Sequence, residues 1–275
     1  MTLSIPARHG ATINLARAWR DAPAFMGTAV LTSIALIPLL AAMARDVRLF
    51  QGESVWLKPV KFHLALGIYL FSLAFFARYL PRTMIAGRIW RTYAAVVCIA
   101  VLGELVAIGG AASLGIASHF NLSTPMMAAV YAVMGLGAVT LTSASLVMGV
   151  AIWRNPAATP APALHLSIAL GLVLTFVLTM VVAGFLSAND GHFVGVPTTG
   201  AAVPILGWSR EVGDLRAAHF VATHALHGLP LVGWLAVRFL APRWGVLTVW
   251  AGAVLYTGLV LGLFRQALSG LPVIG

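Results

Sequence analysis

The chain is short of charge. Only 9% of its 275 residues are Asp, Glu, Lys or Arg, against about 25% in a soluble globular domain. So few charges cannot cover a surface that faces water, which excludes an ordinary soluble domain. Cysteine is scarcer still: Cys98 stands alone, so no internal disulfide can form, and its apolar surroundings read as those of a small buried hydrophobe. Several motifs are also missing. There is no phosphate-cradling Walker loop, no dinucleotide fingerprint, and no HExxH or GxSxG in a suitable context. The N-terminal stretch MTLSIPARHGATINLARAWRDAP lacks an apolar core followed by a cleavage site, so a cleaved signal peptide is not expected.

What the chain does have is hydrophobic residues, 60% of the total, gathered in long runs. A helix crossing the hydrocarbon needs about 20 apolar residues. Seven segments qualify: Phe25–Met43, Pro59–Tyr79, Ile89–Ala112, Pro125–Trp153, Leu164–Ser187, Leu215–Leu240 and Trp244–Leu268. The expected fold is therefore all-α, a polytopic seven-helix membrane bundle over 25–268. A cytoplasmic or interfacial segment, 1–24, precedes it and a short tail, 269–275, follows. Within the first segment, Ile13, Ala16 and Trp19 recur at helical spacing beside Arg17 and Arg20, which suggests a short helix on the membrane surface. The net charge of +10 does not point to nucleic acid, because the arginines punctuate apolar runs as topology signals do.

The loops sort by charge. The N-terminus and the connections after spans two, four and six hold Arg8, Arg17, Arg20, Arg78, Arg82, Arg88, Arg91, Arg154, Arg238 and Arg243 with one acid, Asp21. The opposite side holds seven cations diluted by Asp46, Glu53, Asp190, Glu211 and Asp214. The positive-inside tendency puts the N-terminus in the cytoplasm and the C-terminus outside, in a cell membrane such as the bacterial inner membrane. The longest connection, 188–214, then faces outward. It is rich in Gly and Pro and reads as a structureless lid or binding loop, with Asp214 a candidate N-cap for the next helix.

Polar groups inside apolar spans are expensive and mark sites. Glu104 is the one acid well inside a span, roughly 12 Å from its outer end at 1.5 Å per residue. His219, His224 and His227 share a broad face of span six, a spacing that suits metal ligation, and Pro230 should kink the helix nearby. The only two lysines, Lys58 and Lys61, flank Pro59 in WLKPVKFH and share a face that continues through Ala65, Tyr69 and Ser72. His63 points elsewhere, to another helix. A helix N-terminus bearing two ammonium groups favours an anion, either a ligand or Glu104 itself. Lys58, Lys61, Tyr69 and Arg216 are thus candidate ligand-binding residues, Glu104 the candidate catalytic acid or base, and His219, His224 and His227 the candidate metal ligands. His119, Asn121, Asp190 and His192 could form the rim.

Two resemblances bear on this set. WLKPVKF is similar to a stretch found in uncharacterised multi-pass membrane proteins of bacteria, and implies no activity. Seven spans, an internal acid and clustered histidines resemble, distantly, the adiponectin-receptor and alkaline-ceramidase superfamily of zinc hydrolases. That resemblance implies zinc held by histidines of two spans beside an acid, roles that Glu104 and the span-six histidines would take. The pattern departs from that family in its last span, which carries no histidine, and in its outward cluster. A retinal protein would need a lysine in that last span, and none is there. The expected function is binding of a metal, a haem or a small anionic ligand in an outward polar pocket. The alternatives are a metal-dependent hydrolase of a lipid-borne bond, a proton-coupled carrier, and a structural or assembly protein. Membrane lipid and a small molecule are the expected partners, with no nucleic acid.

Overall fold

The computed structural model describes residues 14–155, 157–158, 160–189 and 191–275. A short helix, α1 (Leu15–Asp21), lies ahead of the first long one, α2 (Pro23–Arg45). Asn14 caps α1 by accepting the Arg17 N–H. A two-residue hairpin pairs β1 (Leu49–Phe50) with β2 (Glu53–Ser54) through Gln51 and Gly52, both at positive φ, as a type I′ turn requires. It leads into α3 (Leu57–Phe76), which tightens into a 3₁₀ turn at Ala77–Tyr79. Then follow α4 (Arg82–Ala86), α5 (Arg88–Leu114), α6 (Pro125–Trp153) and α7 (Pro162–Ala188). The connection after α7 pairs β3 (Phe193–Val194) with β4 (Gly213–Asp214), and the chain ends with α8 (Leu215–Thr223), α9 (Ala225–Phe239) and α10 (Pro242–Leu268).

Six of these helices, α2, α3 with its 3₁₀ turn, α5, α6, α7 and α10, are each long and apolar enough to cross a membrane. The pair α8–α9 passes the same test only if it is counted as one bent span. The protein is a multi-pass helical membrane protein. Proline opens α2, α6, α7 and α10 at the first turn, where its missing N–H costs nothing. Leu70, Leu73, Val97, Val101, Met148, Leu172 and Leu226 meet in the largest core cluster, whereas Ile37, Ile99, Val106, Leu136 and Leu255 point outward as a lipid-facing surface does. The charged hairpin and the 115–124 connection mark one end of the bundle, the Lys58 end. Asp21 and its arginines mark the other, the Arg78 end.

Span six bends near its histidines, as Pro230 suggests, but the bend is a full break placed ahead of the proline. The chain breaks at His224, six residues before Pro230, and turns by 49°. In a continuous helix the Leu226 N–H would donate to the Ala222 carbonyl. Here it donates to Thr175 Oγ1 on α7 at 2.8 Å, and that hydroxyl donates on to the Gly171 carbonyl. The freed carbonyls of α8 find donors too: Tyr256 Oη gives its proton to Val221 at 2.6 Å, and Thr223 Oγ1 to Phe220 at 2.9 Å. A Cβ on Gly171 would come within 2.9 Å of the Ala225 carbonyl, so only glycine lets α7 reach the break. Inside a bilayer such a break survives only because neighbouring helices satisfy it.

Thr175→Val keeps the shape but leaves the buried Leu226 N–H without an acceptor. The expected cost is about 1–3 kcal/mol of stability, read as a lower midpoint of thermal unfolding in detergent. An unchanged midpoint would mean that the break does not depend on this hydroxyl.

Candidate functional site

The polar groups of the Lys58 end come from four separate stretches of chain. Lys58 sits in the first turn of α3, half-buried. Its ammonium lies 3.2 Å from His119 Nδ1, in the connection after α5. Glu104 projects from the middle of α5 and is only 5% exposed. Its Oε1 is buried without a hydrogen-bond partner among the described residues, and it rests near Gly137 of α6, where a Cβ would stand 3.2 Å away. The charge of Lys58 acts on Glu104, but the two form no direct ion pair. An ammonium has three donors, and among the described residues only His119 accepts one of them.

Aromatic rings enclose this pair. His119 packs against Phe62 and Tyr131, with centroids 5.8 and 6.1 Å apart. Phe120 bridges Tyr131 and His192, at 5.5 and 5.3 Å. Phe120 adopts φ 57°, a conformation that bulky residues avoid. Such strain persists only where the surroundings enforce it, here to hold the ring between two partners. Burial first, then the nearby Lys58 and His192, depress the His119 pKa to about 3. Burial, then Arg216 and Lys58, depress that of His192 to about 4. Both imidazoles are therefore neutral near pH 7. His119 accepts the lysine proton at Nδ1, which places its own hydrogen on Nε2. His192 Nδ1 is buried and without a partner among the described residues.

The expectation of a structureless 188–214 loop is corrected. Strands β3 and β4 close it, and Ala202 bridges to Ser209. The Glu211 carboxylate gathers the N–H groups of Thr198, Thr199 and Ala201 and both threonine hydroxyls, which hold it far below the usual carboxylate range. Gly213 admits no side chain, since a Cβ would strike the Ala267 carbonyl of α10. Asp214 caps α8 by accepting the Arg216 N–H at 3.0 Å, takes the Ser209 N–H at 2.8 Å, and forms a fork-like pair with the Arg216 guanidinium. The loop tip then lies over the charged groups. Around Gly207 (φ +74°), a Cβ would meet Glu53 Oε1 at 3.1 Å, Lys61 Nζ at 3.7 Å and Arg216 Nη1 at 4.0 Å.

The two lysines thus diverge. Lys58 turns to His119 and Glu104, while Lys61 turns to the loop tip. Tyr69 continues the lysine face, but its hydroxyl is spent on the Leu141 carbonyl of α6 at 2.9 Å. His63 faces another way, into an apolar pocket of about 130 Å³ between α2, α3 and α5, with its Nδ1 on the Pro59 carbonyl. This pocket holds no charged group, so the chemistry lies with the polar cluster. The break in span six rearranges the histidines. His224 stacks on Phe220 at 4.1 Å and donates to its carbonyl, His227 meets Ser72 Oγ at 2.8 Å, and their rings are 5.5 Å apart. His219 lies half-buried in α8, toward His192. Among the described residues, no three His, Cys, Asp or Glu side chains converge as a metal-binding group, so His219, His224 and His227 are not a preformed ligand set. Asp190 lies outside the described residues. Sequence reasoning put His119 and His192 at the rim and did not name Tyr131 or Phe120; a loop residue carries no periodic signal of where it points. No protein family, curated protein or solved structure matches the chain.

The depressed histidines make stability depend on pH. Their folded pKa values lie below the ordinary 6.5, so the unfolded chain binds more protons in between. Stability from His119 and His192 is complete above about pH 6.5 and is lost as pH falls toward about 4 and then 3. The melting midpoint in detergent should drop between about pH 7 and 4.5, and drop less in the His119→Gln, His192→Gln double variant. An equal drop would place the acid-sensitive groups elsewhere. In the loop, Gly207→Val should cost about 1–2 kcal/mol through its left-handed backbone alone, and a limited-proteolysis assay should show faster cleavage within 195–210.

Proposed function

We propose that the protein binds a small anion that carries its own hydrogen-bond donor, in a pocket at the Lys58 end. The observation that carries this reading is a mismatch of partners. Among the described residues, Lys58 offers donors with one acceptor in reach, and Glu104 Oε1 is a buried acceptor with no donor. Each costs free energy unless a third group completes it. A hydroxy acid, an amino acid or a protonated phosphate would give its anionic oxygens to Lys58 and its donor to Glu104. Neutral His119 and His192 add further polar contacts, and the rings of Phe62, Phe120 and Tyr131 supply apolar walls of the kind small-ligand sites use. The loop tip at Gly207 lies beside this pocket, over Lys61 and Arg216.

The charge tally of the connections favours seven spans, with α8–α9 as one, the N-terminus in the cytoplasm and this pocket on the outer side, in the bacterial inner membrane. A carrier is the second reading, and the break at His224 favours it, because discontinuous helices near mid-membrane mark substrate sites in transporters. The metal, haem and zinc-hydrolase readings stand behind both, since they ask the span-six histidines to converge with a further ligand.

Glycolate and acetate differ by one hydroxyl and form the direct test. Glycolate should bind the purified protein about tenfold more tightly than acetate, the worth of one charge-assisted hydrogen bond, in isothermal titration. Glu104→Leu should erase that preference, and Lys58→Met should abolish binding of both. Equal affinities for the two acids in the unaltered protein would sink the assignment of Glu104. Uptake of labelled glycolate into vesicles, lost in Lys58→Met, would separate a carrier from a receptor.

A further inference from the structure

A second concavity lies toward the opposite end, on the lipid-facing side. Val30, Ile34 and Ile37 of α2 face Gly67, Ile68 and Phe71 of α3 across a groove of about 460 Å³. That volume falls within the range of about 300–1,000 Å³ typical of small-molecule sites. Its one hydroxyl, Ser33, is spent on the Ala29 carbonyl at 2.8 Å. The groove is therefore apolar along its length and suited to a hydrocarbon chain.

Both walls end in groups fit for the headgroup level. On α3, Phe75 lies one turn beyond Phe71 on the same face, and the Arg78 guanidinium covers its ring at 3.9 Å. On α2, Gly27 lies two turns from Ile34 on the groove face. The Trp19 ring of α1 sits 3.9 Å from where a Gly27 Cβ would be. Trp19 and Leu15 are 44% and 50% exposed, as expected of residues in an interfacial belt.

Charge at this end is unbalanced. Arg17, Arg20 and Arg82 all pair with Asp21, which is 2% exposed. Burial pushes the Asp21 carboxyl up, but its bonds to Arg82, Arg17 and Arg20 outweigh that and keep it below the usual range. Arg17 also donates to the Arg78 backbone carbonyl at 3.1 Å, and the two positive charges act on each other. Arg78 spends its Nε on the Phe75 carbonyl, and its Nη2 is buried without a partner among the described residues. Three guanidiniums thus share one carboxylate and a fourth, Arg78, covers Phe75 at the end of a groove shaped for a chain.

We propose that this is a binding site for an anionic glycerophospholipid, with an acyl chain in the α2–α3 groove and the phosphate held by Arg78 and Arg17. Guanidinium groups match phosphate oxygens in a planar fork. Trp19 packs beside the glycerol level, and α1 is thereby pinned to the bilayer surface as well as to Asp21's ion pairs. The headgroup supplies the charge that Asp21 alone does not.

Native mass spectrometry of the full-length protein in detergent tests this with three probes: phosphatidylglycerol, phosphatidylcholine and glycerol 3-phosphate. Phosphatidylglycerol should be retained at least fivefold over phosphatidylcholine, and glycerol 3-phosphate should neither bind nor displace it. Arg78→Gln and Ile68→Trp should each cut retention at least fivefold. Ile68 is 48% exposed on the lipid face, so its variant folds even if Arg78→Gln does not. Equal retention of the two lipids, full displacement by glycerol 3-phosphate, or wild-type retention in Ile68→Trp would each overturn the proposal.

Discussion

Lys58 keeps its ammonium between α3 and the 115–124 connection, with a neutral imidazole as its one hydrogen-bond partner among the described residues and the Phe62 ring 5.8 Å away. A charge so placed must be compensated, because the surrounding medium solvates it poorly. Glu104 lies within reach of the ammonium's field but makes no bond to it, and its Oε1 is unpaired among the described residues. Much of the architecture at this end follows from that separation. The hairpin and Asp46, which accepts the Trp56 indole N–H at 2.8 Å, fix the start of α3 and hence the height of the lysine. The strained Phe120 and its two ring partners fix His119 in turn. Direct contact between Lys58 and Glu104 would leave nothing for a ligand to complete.

The break in span six also shapes the Lys58 end of the bundle. Because α8 tilts away from α9 at His224, Asp214 and Arg216 sit under the connecting loop rather than along a single straight helix. The loop is held from within by Glu211 and against α10 by Gly213, so its tip at Gly207 is a defined cover over Lys61 and Arg216. The opposite end solves a different problem. There the arginines outnumber their one acid, and a phosphate from the bilayer is the partner that their chemistry fits.

Much of the fold was legible from the chain alone, for a simple reason. Each span is an apolar run bounded by proline, arginine or a polar loop, and the helix ends fall within about two residues of those runs. A bend near the span-six histidines was legible from Pro230, but its position at His224 and its cause were not. The hydrophobic period continues straight through it, and the hydroxyl that permits it, Thr175, is far away in sequence. The three histidines stay close across the break, with the His224 and His227 rings 5.5 Å apart, yet among the described residues they do not converge as a metal-binding group. Two-residue strands such as β1 to β4 leave no alternation to read. In the site, Lys58 and Glu104 stood out because ionisable residues are rare in apolar runs. His119, Phe120, Tyr131 and His192 did not, since only the packed loops bring them together. Tyr69 shares the lysine face, yet its hydroxyl was claimed by a carbonyl of α6 that no local pattern reveals.

The central claim is that Glu104 and Lys58 are two halves of a site that a small anion with a donor completes. Infrared difference spectroscopy on adding glycolate addresses it most directly, with the carboxyl band assigned by its loss in Glu104→Gln. The account predicts that glycolate shifts the Glu104 band, that acetate leaves it in place, and that Lys58→Met removes the shift. A Glu104 band indifferent to glycolate, in protein shown by titration to have bound it, would contradict the account and return the carboxylate to a purely structural role.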